Sequence, residues 1–192
     1  MAGLTTMRGF IVFIILFCLG TPVVSSDHQV PPEKDSESVS IAWELPPLVL
    51  SDLNGRKRNL YDWHGRIIIL NFWATWYAPC QIEIPHLIRY QNDYADAGLQ
   101  VIGVGLDNER KLKDFARTLA INYPVLSADP YHDIHLLRLW GDDAGVLPFT
   151  VVIDRNGHLV YMQQGVFDQE AFLAYVKPLF DPAGRNDSGK DE

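Results

Sequence analysis

The sequence predicts a mixed α/β fold, a three-layer sandwich preceded by an N-terminal β-hairpin extension. Three observations lead there. Two largely apolar runs, 67–73 and 99–106, flank a long helical stretch that Gly98 closes, which makes a βαβ unit. Two Asn-Gly pairs, Asn54-Gly55 and Asn156-Gly157, each lie between strand-like segments, as in hairpins. A last helical stretch, Phe167 to Leu179, follows the second hairpin.

The chain has 192 residues, 47% of them hydrophobic, enough for one domain with extensions. Residues 1–26 read as a secretory signal. Arg8 supplies the positive start, Phe10 to Leu19 the apolar run, and Val24 and Ser26 the small residues before a cut ahead of Asp27. The competing reading is an uncleaved inner-membrane anchor, for which the run is short against the ~20 residues a span needs. Cys18 lies in this run behind the bulky Phe17, which argues against lipidation. After the cut, Cys80 is the single cysteine, and no intramolecular disulfide can form. The mature chain carries 15 basic and 24 acidic side chains, −9 formally, which argues against a nucleic-acid role. The basic clusters Arg56-Lys57-Arg58 and Arg110-Lys111-x-Lys113 read as solvated faces. Residues 27–43, polar and carrying Pro31-Pro32, read as a linker. Residues 44–180 form the domain, and 181–192 a disordered tail.

Within the domain, 47–50 and 56–60 are paired strands around Asn54-Gly55, in a turn of the type-I′ kind. Ile67 to Trp73 is apolar on both faces and therefore central in the sheet. The helix from Pro79 to Ala97 offers Ile82, Leu87, Ile88 and Tyr94 as inward residues, and Pro85 should kink it. Leu99 to Leu106 pairs in parallel with the central strand. Asn108 to Ala120 is amphipathic through Leu112, Phe115, Ala116 and Leu119. A short extended piece covers Tyr123 to Leu126, and a further helix spans Tyr131 to Trp140. Phe149 to Asp154 and His158 to Met162 form the second hairpin.

The chemistry concentrates where the central strand meets the first helix, at Trp76-Tyr77-Ala78-Pro79-Cys80. A thiol in a first helical turn faces unpaired N–H groups and the positive end of the helix dipole, both of which favour thiolate. Glu83 shares a helix face with Cys80, and its carboxylate would raise the thiol pKa against the dipole. Tyr77 can pack over Cys80 or hydrogen-bond a partner's backbone; it cannot form a disulfide. Cys80 itself reads either as a thiol competent for mixed disulfides or as a buried, inert relic. His132 and His135, with Asp129 and Asp133 nearby, have the spacing of a metal site but fit a surface helix face better. No cofactor is called for.

The segment Asn71-Phe72-Trp73-Ala74-Thr75-Trp76, with Ala78-Pro79-Cys80, Glu83, Pro85 and the later Gly145-Val146-Leu147-Pro148-Phe149-Thr150, resembles TlpA/ResA-like proteins. Those are bacterial extracytoplasmic thiol–disulfide oxidoreductases of thioredoxin fold. The resemblance covers roughly Glu44 to Phe180 and implies a thioredoxin-like three-layer sandwich. It also implies Cys80 as the resolving cysteine, Glu83 as an acid that tunes thiol protonation, and Pro148 as a cis-proline setting Leu147 opposite Cys80. Trp76, Tyr77, Pro79, Leu147 and Pro148 become the substrate-binding residues. Implied partners are protein thiols and disulfides with an external thiol reductant, and the implied compartment is periplasmic or otherwise extracytoplasmic. The departure is Tyr77, which stands where the family has its attacking cysteine. The chain is then at most a monothiol through Cys80. The alternative is a non-catalytic binding or chaperone module that uses the cis-proline groove.

Overall fold

Every residue of Ile67–Trp73 (β3) is buried, so this strand can only lie inside a sheet covered on both faces. The computed structural model, which describes residues 45–181, places it there. The proposed signal and linker, and the tail beyond Asp181, lie outside the described residues.

The other strands are β1 (Val49–Asp52), β2 (Lys57–Asn59), β4 (Leu99–Leu106), β5 (Val125–Ala128), β6 (Phe149–Ile153) and β7 (Leu159–Gln164). One sheet holds all seven in the order β2-β1-β5-β4-β3-β6-β7. The β3, β4 and β5 strands run parallel, and β6, β7, β1 and β2 pair antiparallel to their neighbours. The βαβ unit is therefore real. The β3 register, Asn71 against Gly103 on one side and against Thr150 on the other, fixes what surrounds the site.

Alternation along β3 sends its side chains to two cores. Ile68, Leu70 and Phe72 join Val104, Val151, Leu137 and Trp140 on one face. Ile67, Ile69 and Trp73 join Val101, Val152 and Phe167 on the other, under helix α1 (Ala78–Tyr94). Helices α2 (Glu109–Thr118) and α3 (His135–Leu139) complete the layers, with a final helical run over Gln169–Ala171, Phe172–Val176 and Lys177–Leu179. The run widens into π-type turns at Phe172–Val176, where Tyr90 stacks on Phe172 with centroids 4.0 Å apart.

Four expectations are corrected. The first hairpin turn is not type I′, which needs positive φ at both central residues. Only Gly55 has it, at +79°. The loop is Leu53-Asn54-Gly55, closed by Gly55 N–H to Asp52 O (2.9 Å) and Asp52 N–H to Arg56 O (2.9 Å). The Asp52 carboxylate accepts the N–H groups of Asn54 and Arg56, and Asp154 repeats the arrangement at Asn156-Gly157. The aspartate two residues before each Asn-Gly thus sets a longer loop.

Second, Ile82 does not face inward; it is 61% exposed. The buried stripe of α1 is Cys80, Glu83, Ile84, Leu87, Tyr90 and Gln91. Two polar residues take inward positions because the sheet offers them partners; Gln91, for instance, accepts the Val101 N–H at 2.7 Å. Third, the helix expected over 131–140 shrinks to His135–Leu139. Asp129 accepts the N–H groups of Tyr131 and His132, and Asp133 accepts that of Asp129, so the preceding residues form a turn. Fourth, α1 ends at Tyr94 rather than Ala97, with Gly98 at φ +95° carrying the chain into β4.

Candidate active site

Residues 74–77 leave β3 and enter α1 with Tyr77 as the N-cap, at φ −98° and ψ 115°. Its side chain makes no capping bond. Pro79 occupies the first turn, where its missing N–H costs nothing. The Cys80 N–H donates to the Tyr77 carbonyl at 3.1 Å. Cys80 is fully buried.

This burial opposes the thiolate-favouring helix start and suits the reading of Cys80 as a buried thiol. Desolvation pushes the Cys80 thiol up to about 11, and the Glu83 carboxylate adds to the rise. Backbone N–H groups of Ala74 and Cys80 pull the other way without prevailing. Helix-end electrostatics help an anion that water can reach; a sealed anion has lost more hydration than the dipole returns.

Glu83 is also fully buried, beneath α1 against β3 and β6. Its carboxylate accepts Asn71 Nδ2 at 2.7 Å, the Phe167 N–H at 2.7 Å and Thr150 Oγ1 at 3.3 Å. Asn71 Nδ2 also donates to Thr150 Oγ1 at 2.9 Å. Burial nevertheless dominates and raises Glu83 to about 7, so it titrates near neutrality. Asn71, Thr150 and the Phe167 N–H are site residues that sequence reasoning missed. The signal was there: Asn71 and Thr150 are polar interruptions in the otherwise apolar strands Ile67–Trp73 and Phe149–Ile153.

Trp76 points outward, 66% exposed, with its ring 5.7 Å from that of the half-buried Tyr77. The loop is pinned from behind: Gln81 Nε2 donates to Thr75 O at 2.8 Å, and Thr75 Oγ1 donates to the carboxylate of Asp107. Asp107 stays below the usual carboxylate range, its burial opposed by Thr75, the Asn108 N–H and Lys111.

The Leu147–Pro148 peptide is cis. Pro148 is buried, and its carbonyl is taken by the Gly165 N–H at 2.8 Å. Leu147 and Tyr77 both pack on the core cluster that contains Cys80. The fold therefore packs Tyr77 and Leu147 on the cluster that contains Cys80, leaves Pro79 half-buried and Pro148 buried, and turns Trp76 outward. The His132 ring lies against Asp129 and that of His135 against the His132 carbonyl. Among the described residues no group of three His, Cys, Asp or Glu side chains is placed to hold a metal.

A parallel β3-β4-β5 core with an antiparallel β6-β7 hairpin, a helix-start cysteine and a cis-proline define a thioredoxin-fold protein of the redoxin class. The sequence matches the AhpC/TSA family over residues 41–162, and the chain belongs to that family. It is 31% identical to the thiol-disulfide oxidoreductase ResA of Bacillus thuringiensis over 76% of this chain and 82% of that protein. With the ResA of Geobacillus thermodenitrificans the identity is 28% over 90% and 94%. A secreted thiol-disulfide isomerase from Corynebacterium glutamicum superposes with a TM-score of 0.64 at 26% identity, covering 71% of this chain and 85% of that one.

Proposed function

We propose that this chain is an extracytoplasmic member of the thiol–disulfide oxidoreductase class whose dithiol chemistry is disabled, acting at most as a monothiol through Cys80. One observation carries the reading: Tyr77, not a thiol, occupies the N-cap three residues before Cys80. In a monothiol cycle, Cys80 would lose its proton, with Glu83 the nearby base that titrates near neutrality. Its sulfur would then attack a protein disulfide, forming one S–S bond and releasing the other partner sulfur as thiolate. An external thiol would break the mixed disulfide and return Cys80. Trp76, Tyr77, Pro79, Leu147 and Pro148 would bind the partner.

A specific observation favours a second reading. Cys80 is sealed and its thiol held protonated, which suits a module that binds through the cis-proline groove without turnover. Labelling of Cys80 by a small aromatic disulfide at pH 7 separates the two. The expected outcome is slow labelling of the folded chain, rising with pH beyond 9 and becoming fast in denaturant. Labelling at neutral pH as fast in the folded as in the denatured chain would establish an accessible monothiol and remove the second reading. No labelling at any pH short of unfolding would remove the first.

The extracytoplasmic assignment rests on residues 1–26 and on the likeness to ResA proteins and a secreted isomerase. No helix among the described residues is long and apolar enough to cross a membrane. N-terminal sequencing of the exported chain should find a start near Asp27. A membrane-bound product retaining residues 1–26 would replace the cleaved signal by an anchor.

A further inference from the structure

The sheet does not stay closed along its whole length. β1 pairs with β5 only through Ser51↔Ser127 and Asp52↔Leu126. Towards its N-terminal end β1 remains bonded to β2 but parts from β5, and a cleft of about 930 Å³ fills the fork. This is near the upper end of the ~300–1,000 Å³ that ligand sites enclose.

The walls of the fork say what it suits. In an antiparallel pair, alternate residues turn both backbone groups to the same neighbour. Leu60 N–H bonds to Leu48 O, and Asp52 N–H to Arg56 O, so residues 48, 50 and 52 spend theirs on β2. Ser51 spends its pair on β5; the N–H and C=O of Val49 turn into the fork. Two exposed aromatics line the same space, Trp76 at 66% and Tyr131 at 88%. An unpaired strand edge flanked by aromatic faces matches an extended polypeptide that adds to the sheet edge. Carboxylates outnumber ammonium groups: with Lys111 paired to Asp107 and Glu109 to Lys113, Asp129 and Asp133 stand against Lys57. The favoured segment is therefore cationic.

The fork is continuous with the candidate active site. Trp76 lines it and neighbours Tyr77 in sequence and in ring contact. Asp107, on its floor, holds Thr75 of the same loop. It opens at the carboxyl ends of β4 and β5, the same end of the sheet at which Pro148 enters β6 beside Phe72, but across β4 and β3 from it.

We propose that this fork between β1 and β5 is a docking site for an extended, cationic stretch of the client polypeptide, bonded to the backbone of Val49 and held between Trp76 and Tyr131. The assignment rests on the reading above only in calling that polypeptide a client of the thiol site.

The probe is a cysteine-free nonapeptide alternating Lys with Val or Tyr, added to the ¹⁵N-labelled chain as it starts at Asp27. Saturable amide shifts are expected at Val49, Ser51 and Ala128 and at the Trp76 indole. Val49→Pro deletes the N–H that faces the fork while sparing every β1–β2 bond, and Tyr131→Ala removes one aromatic wall. Each should weaken binding about tenfold, as should exchange of the peptide's Lys for Glu. Cys80→Ser abolishes all thiol chemistry and should leave the shifts in place, so failure of the thiol reading would not touch this one. Absence of saturable shifts at millimolar peptide would overturn the proposal. So would shifts confined to residues 146–148, or binding that appears only after residues 27–44 are removed, which would make that segment the occupant.

Discussion

Tyr77→Cys should convert the chain into one that cycles between dithiol and disulfide and turns over a small disulfide with an external reductant. The geometry is already in place. Tyr77 and Cys80 are N-cap and third helical residue, joined by the Cys80 N–H to Tyr77 O bond of 3.1 Å. Residues so related fall within the ~4.4–6.8 Å Cα separation that a disulfide tolerates. The N-cap position is the more open of the two, half-buried where Cys80 is sealed. A thiol there meets the helix start without the desolvation that holds Cys80 near 11. Its pKa should fall toward ~7. The thiolate fraction at neutral pH then rises by about four orders of magnitude over that of Cys80, and lower intrinsic nucleophilicity takes back roughly two, leaving a gain of about 10²-fold in attack rate. Lost packing of the Tyr77 ring should cost about 1–2 kcal/mol, since the ring is only partly buried. The assay compares the parent, Tyr77→Cys and Tyr77→Ala, with the mass of the oxidised Tyr77→Cys form confirming the intramolecular bond. Equal turnover in parent and Tyr77→Cys would refute the account of a missing nucleophile. A folded, oxidisable but inactive Tyr77→Cys would place the defect elsewhere in the site.

The sequence showed most of the elements and pointed to the candidate site, because both are written in local signals. The mainly apolar run 67–73 reads as a central strand, and a cysteine just after Pro79 in the segment that follows reads as a helix-start thiol. Pro148 was placed by resemblance, and its peptide is cis. What sequence could not give was the balance of long-range terms. The dipole argument for Cys80 is local, while the burial that defeats it is assembled from α1, β3 and the residues around Phe167. The inward residues of α1 were misjudged for a related reason. Hydrophobicity picks Ile82, yet the stripe runs through Glu83 and Gln91, whose partners Asn71, Thr150 and Val101 come from strands 10 to 67 residues away. Turn type was misread because Asn-Gly is compatible with two loop lengths, and the deciding carboxylates of Asp52 and Asp154 lie outside that pair.

Glu83 is the residue through which the site weighs on the whole fold, and the stability of the protein should fall as pH rises from about 5 to about 7.5. Its carboxyl goes from 4.5, the ordinary value, to about 7 when folded, because burial outweighs the three donors it accepts. Between those values the folded chain holds a proton that the unfolded chain has released. Raising the pH there favours unfolding, and above the folded value the loss is complete. The full effect is about 3 kcal/mol for a group this deeply buried. The aspartates that stabilise the fold, Asp52, Asp107 and Asp154, have lowered values, and their stabilisation is lost only as the pH drops below the ordinary aspartate range. Cys80, raised from 9.0 to about 11, acts in the alkaline range. Of these groups Glu83 alone titrates between pH 5 and 7.5.

Glu83→Gln should flatten that slope. The replacement is nearly isosteric, and a turn of the Asn71 amide lets Oδ1 accept the new N–H₂ in exchange for the Asn71 bond to Thr150 Oγ1. The same change removes the carboxylate that helps raise Cys80, so thiol labelling of Glu83→Gln at pH 9 should be faster than in the parent. Urea midpoints taken at half-unit steps from pH 5 to 8 decide the matter. A parent curve that is level across this range, or a Glu83→Gln curve that keeps the parent's slope, would mean that Glu83 is not the group that titrates and that its donors hold it ionised throughout.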